Sequence, residues 1–130
     1  MDPVLAKYED LLLAPNVGHL ATVRPIGAPT VTPMWFVWDG EYLRFTHTTR
    51  RAKLRNLGAN PHLALSVVGP DDPYRYIEVR ARLERIDPDP EGAFYVELAA
   101  RYGVTTAPPA DSPNRVIIVA KPTGYAPASR

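Results

Sequence analysis

Between Val17 and Lys121 the apolar residues come in short β-branched runs separated by Pro, Gly and Asp-Gly signals. That punctuation restricts the fold more than any other feature. A helix needs roughly 10 or more residues at a 3.6 period, whereas runs of about 4–8 residues closed by turn formers read as strands. Within residues 17–47 the runs are divided by Pro25-Ile26-Gly27-Ala28-Pro29 and by Asp39-Gly40, a strong hairpin signal, so three sequential antiparallel strands are expected. The run over 62–68 is apolar enough for a buried strand. After the loop Gly69-Pro70-Asp71-Asp72-Pro73, the residues Ile77, Val79, Ala81 and Leu83 alternate with Glu78, Arg80, Arg82 and Glu84. This period of two predicts a long strand with one charged face, suited to solvent or a dimer rim. Val116-Ile117-Ile118-Val119, within 115–121, supplies a closing strand.

Helical signals lie between the strands. Asp2 followed by Pro3 reads as an N-cap with proline in the first turn, and Val4, Tyr8, Leu11 and Leu12 recur at helical spacing up to Pro15. A second short helix is expected over 50–59, capped by Thr49 and closed by Asn60-Pro61. A third spans 90–103, and 104–114 reads as a mobile loop. About six antiparallel strands with short helices between them make a mainly β chain, a small barrel with helices at its ends. The length, 130 residues, fits a single domain over 1–130. Its 15 prolines, more than double the usual frequency of about 5%, sit between the runs and so punctuate strands rather than form a linker.

Composition removes whole classes of chemistry. With no cysteine there is no disulfide framework, no thiolate metal or iron–sulfur site and no thiol nucleophile. Acidic Asp2, Glu9 and Asp10 fit no signal peptide, and no apolar run reaches the roughly 20 residues of a membrane span, which reads as a cytoplasmic protein with no membrane partner. The 15 basic and 14 acidic residues nearly cancel, and no aromatic platform lies among basic residues, so nucleic acid is disfavoured as a partner. His19, His47 and His62 lack metal-ligand spacing, and neither G-x-G-x-x-G nor a P-loop occurs.

One segment stands out for chemistry. From Phe45 the chain reads Thr46-His47-Thr48-Thr49-Arg50-Arg51-Ala52-Lys53-Leu54-Arg55-Asn56-Leu57, hydroxyls and a histidine running from a strand into a helix start. Free amides and the helix dipole favour an anion there. At about 100° per residue, Lys53 and Asn56 fall within about 60° of one another on the flank of the Leu54 and Leu57 stripe. Arg50, Arg51, Lys53 and Arg55 either cradle a cofactor phosphate or form a solvated basic helix face. Met34, Phe36 and Trp38 alternate with Trp35 and Val37, so Met34 and Trp35 should point to opposite faces of one strand, as barrel core or as ring contacts.

The run from Thr46 through Lys53 to Asn60-Pro61, then His62-Leu63-Ala64-Leu65-Ser66-Val67-Val68, and later Pro73-Tyr74-Arg75-Tyr76-Ile77-Glu78-Val79-Arg80, resembles the pyridoxamine-phosphate-oxidase-like split β-barrels. Within them the chain is most similar to the actinobacterial oxidoreductases that use the deazaflavin coenzyme F420. The likeness covers about 17–122. It implies a homodimer in which Lys53 binds the cofactor phosphate, Thr46, His47, Thr48 and Arg50 line the phosphate and ribityl-like chain, and Arg55 and Asn56 lie beside them. It further implies that Pro33, Met34, Trp35 and Phe36 run alongside the tricyclic ring, with Tyr76 a ring contact on the long strand. Two departures argue against pyridoxal phosphate synthesis: Ala52 replaces the arginine before the helical lysine, and the family's tryptophan- and arginine-rich C-terminus is missing. Where those oxidases carry a glutamine on the long strand, this chain has Tyr76.

The expected function is therefore hydride transfer from reduced coenzyme F420 to a conjugated or quinone-like small molecule, of which biliverdin is one type. FMN is the alternative cofactor. A non-catalytic carrier of a flavin, deazaflavin or haem is the alternative from another class. In hydride transfer the cofactor supplies the chemistry, so no protein nucleophile and no metal is required.

Overall fold

In the computed structural model, residues 1–49 and 52–127 are described. Helix α1 (Pro3–Leu13) begins as the sequence predicts: the Asp2 carboxylate accepts from the amides of Val4 and Leu5 at 2.8 and 3.2 Å, and proline occupies the first turn. Its Val4, Leu5, Leu11 and Leu12 are buried. Strands β1 (Gly18–Val23) and β2 (Pro29–Met34) form one hairpin. Strands β3 (Val37–Trp38) and β4 (Leu43–Thr48) form another, whose turn is held by Asp39 accepting from the amides of Glu41 and Tyr42, with Gly40 at φ +94°. Next come α2 (Ala52–Ala59), β5 (His62–Val68), β6 (Tyr76–Pro88), α3 (Ala93–Arg101), a 3-10 turn (Ser112–Asn114) and β7 (Arg115–Ala126).

All strand pairs are antiparallel, in the order β2-β1-β5-β6-β7-β4-β3. The described residues thus form seven strands where about six were expected. The extra strand arises because the expected continuous run through residues 34–38 is broken. β2 and β3 stand at opposite edges of the sheet, which would lie roughly 29 Å apart if it were flat. Only Trp35 and Phe36 separate Met34 from Val37, a link that spans at most about 11 Å. The sheet must curl to bring its edges together, and the result is the split barrel that the sequence leads one to expect.

Inside it, Leu20, Phe36, Leu43, Phe45, Leu65, Val67, Ile77, Val79 and Ile118 are fully buried, and Leu57 of α2 and Leu12 of α1 join them. Each large side chain removed from water contributes about 1.5–3 kcal/mol. In β6 the expected alternation holds through Ala81, with Ile77, Val79 and Ala81 buried and Arg80 and Arg82 exposed. It then fails: past a register shift between Leu83 and Arg85, Arg85 and Ile86 are both exposed. The closing strand is also longer than the apolar run within 115–121 suggests, because β7 pairs with both β4 and β6. The start of the second helix expected at Arg50 lies outside the described residues; its end is as expected, with Asn60 accepting from the His62 amide at 3.1 Å.

Candidate functional site

A cavity of about 430 Å³ opens where the barrel is split. It is lined by Val17 before β1, Pro33 and Met34 at the end of β2, Trp35 at the break, and Thr46 and His47 of β4. Small-molecule sites span roughly 300–1,000 Å³, with mainly apolar walls and a few polar groups. Here Val17, Pro33, Met34 and Trp35 supply apolar lining, and Thr46 and His47 bring a hydroxyl and an imidazole. That donor set fits a flat ring carrying a polyol chain.

Met34 and Trp35 both line this cavity, one at the end of β2 and the other in the break after it. In one continuous strand they would face opposite ways. β2 ends at Met34 and β3 starts at Val37, so the expected alternation is interrupted at Trp35 and Phe36, and Met34, which also packs against the core, lines the cavity together with Trp35. The break is held from outside the sheet. The Phe36 amide donates to the Tyr102 hydroxyl at 3.1 Å, and the Phe36 carbonyl accepts from Arg101 Nε at 3.0 Å. Tyr102 in turn lies parallel to Trp35, ring centroids 5.0 Å apart and planes 8° apart.

The other expected site residues are distributed as follows. Phe36 is fully buried in the core and does not line the cavity. Thr48 is buried at the end of β4. On α2, Lys53 is half-buried at the edge of the packed face, and Arg55 is exposed. Asn56 is buried, and its side-chain amide donates to Thr22 of β1 at 3.2 Å, which ties α2 to the sheet. Tyr76 begins β6 opposite Val68, is exposed, and does not line the cavity. Arg50 lies outside the described residues.

Two neighbours were not singled out from the sequence. Arg115 opens β7 with its side chain 13% exposed; it pairs with Asp111 at 3.0 Å, covers the Tyr95 ring at 4.7 Å and comes within 3.4 Å of the Thr46 hydroxyl. It therefore brings a cation beside a cavity-lining group and ties the end of the 104–114 connection to it. Tyr102 is the other. No period or motif relates either residue to Trp35 or Thr46, since both contacts join segments far apart in the chain.

Away from the cavity, the Arg75 guanidinium hydrogen-bonds the Asp10 carboxylate at 2.8 Å and holds it below the usual carboxylate range. Burial, aided by the nearby Asp2 and Glu9 charges, pushes the Tyr125 hydroxyl up. Among the described residues no helix is long and apolar enough to cross a membrane.

A curled antiparallel sheet whose edge strands are joined by two residues defines a split barrel. The chain belongs to the pyridoxamine 5'-phosphate oxidase family, whose model matches residues 4–126. It is 61% identical to a solved structure described as an F420 reductase, over 92% of this chain and 95% of that one, with a TM-score of 0.89. Two further structures share the fold: a putative pyridoxamine 5'-phosphate oxidase from Listeria innocua (23% identity, 93% and 94% covered, TM-score 0.71) and General Stress Protein 26 from Bacillus anthracis (24%, 92% and 89%, 0.71). Among curated proteins none matches the chain.

Proposed function

We propose that this protein is an oxidoreductase that binds coenzyme F420 and reduces a conjugated or quinone-like small molecule, working as a cytoplasmic homodimer. The observation that carries the reading is the cavity in which Pro33, Met34 and Trp35 meet Thr46 and His47. The 61% identity to an F420 reductase supports the choice of cofactor. When bound, the reduced deazaflavin supplies the hydride that the acceptor takes up.

The chain's own part is binding, orientation and exclusion of water. Met34 and Trp35 flank the ring subsite and keep water from it. Thr46 and His47 offer hydrogen-bonding groups to a polyol chain, and Thr48 follows on the same strand. Lys53, with Arg50 and Arg55 nearby in sequence, neutralises a phosphate or acidic tail; a charge-assisted bond of that kind contributes about 1.5–3 kcal/mol. Asn56 serves the site by fixing α2 against β1. Tyr76 is assigned to a ring contact only if a second copy of the chain brings it to the cavity.

FMN is the second reading, favoured by the family to which the chain belongs and by its own ring, polyol and phosphate. Absorbance titration with FMN and with F420 separates the two. Tighter F420 binding, together with turnover of reduced F420 in the presence of a quinone or biliverdin, is expected. Yellow protein with stoichiometric FMN as purified would reverse the cofactor. Binding of either without turnover would make the protein a carrier.

A further inference from the structure

The wall that Trp35 gives the cavity is built by the end of α3. Tyr102 uses its hydroxyl in both senses: it accepts from the Phe36 amide at 3.1 Å and donates to the Asn16 carbonyl at 2.7 Å, with the Phe36 carbonyl 3.2 Å away. A phenol has one proton and two lone pairs, so this set occupies its donor fully. Its ring covers one face of Trp35. Next to it, Arg101 donates to the carbonyls of Leu12, Leu13 and Ala14 at the end of α1, and to Phe36. These carbonyls are the groups that a helix end leaves without intrahelical partners. Together the two residues lock the end of α1, the start of β1 and the strand break into one unit.

The consequence concerns which ligand the cavity accepts. The Phe36 amide and carbonyl bond to Tyr102 and Arg101, which fixes the two residues between β2 and β3, Trp35 among them. With Tyr102 behind it, Trp35 presents a fixed flat surface at no further ordering cost, which favours a rigid fused ring over a flexible ligand. We propose that Tyr102 is a positioning residue that holds Trp35 as the ring-contacting wall and so gives the site its preference for a planar conjugated ligand. This rests on the function proposed above and deepens it.

The test separates the ring subsite from the rest of the site. Dissociation constants for F420 and FMN are measured on wild type, Tyr102→Phe and Tyr102→Leu, along with competition by D-ribitol 5-phosphate, which is FMN's chain without its ring. Tyr102→Leu is expected to bind both cofactors about tenfold or more weakly, having lost the stack and the hydroxyl. Tyr102→Phe keeps the stack and should lose roughly 2- to 12-fold. Competition by ribitol 5-phosphate should stay within about twofold of wild type. Unchanged cofactor binding in Tyr102→Leu, or an equal loss for ribitol 5-phosphate, overturns the role of Tyr102 alone. Should Tyr102→Leu fail to fold, Tyr102→Phe decides: its loss for the ringed ligands without loss for ribitol 5-phosphate upholds the proposal, and wild-type affinity overturns it. A wild type that takes up neither F420 nor FMN overturns the proposed function and this role together.

Discussion

The side-chain amide of Asn56 donates to the Thr22 hydroxyl across 3.2 Å, with only 4% and 2% of the two residues exposed. This bond holds the helix that carries Lys53 against the sheet. Thr22→Val would leave the amide buried and unpaired, at a cost of about 1–3 kcal/mol. Chemical denaturation should show that loss. Adding Asn56→Leu should recover most of it, since removing both polar partners together is nearly neutral.

Lys53→Ala tests the anion site. Losing a charge-assisted bond to the cofactor's phosphate should weaken F420 binding roughly 10- to 150-fold. Turnover at saturating F420 should survive, with the loss appearing in the KM for F420. Arg24→Ala, at the exposed tip of the β1–β2 hairpin, is the control and should bind as wild type. Equal effects from both would mean a diffuse field rather than a phosphate contact.

Gly18 lies where the cavity meets the core. A Cβ there would come within 2.5 Å of Leu65 Cδ1 and 3.2 Å of Phe36 Cδ1, both in fully buried side chains. Gly18→Ala should therefore cost about 1–3 kcal/mol through overpacking. A lowered denaturation midpoint with an unchanged m-value is the expected signature.

Acid stability should depend on Asp10. Arg75 holds its folded-state pKa below the ordinary value of 3.8, so the unfolded chain binds a proton more readily than the folded one. The contribution is full at neutral pH, declines from about pH 5 downward and is gone below the lowered pKa. The difference in melting temperature between wild type and Asp10→Asn should follow that course over pH 2–7. Because the pair is exposed, the effect should be small and should shrink further in high salt.

The oligomeric state is testable by light scattering. Within the described sheet β2 is an edge, bonded to β1, and it exposes Val31 at 61%, with Ile26 at the hairpin tip at 83%. Edges and apolar surface of this kind are commonly covered by a second copy. A mass of twice 14.4 kDa at micromolar concentration is expected, and a monomer would refute the dimer.

Much of the fold is legible in the sequence because it rests on interactions between residues close together in the chain. The Asp2 cap, the turn at Asp39-Gly40, the helix stop at Asn60-Pro61 and the period-two pattern from Ile77 to Ala81 are all local, and each marks an element that forms where it predicts. The family likeness likewise rests on runs of neighbouring residues. Tertiary structure alone decided the rest. It broke the strand at Trp35 and Phe36, gathered residues of β2, the break and β4 around one cavity, committed Asn56 to Thr22, stacked Tyr102 on Trp35 and brought Arg115 beside Thr46. These outcomes depend on how a curled sheet brings its edges together, and contacts between distant segments leave no period in the chain from which to read them.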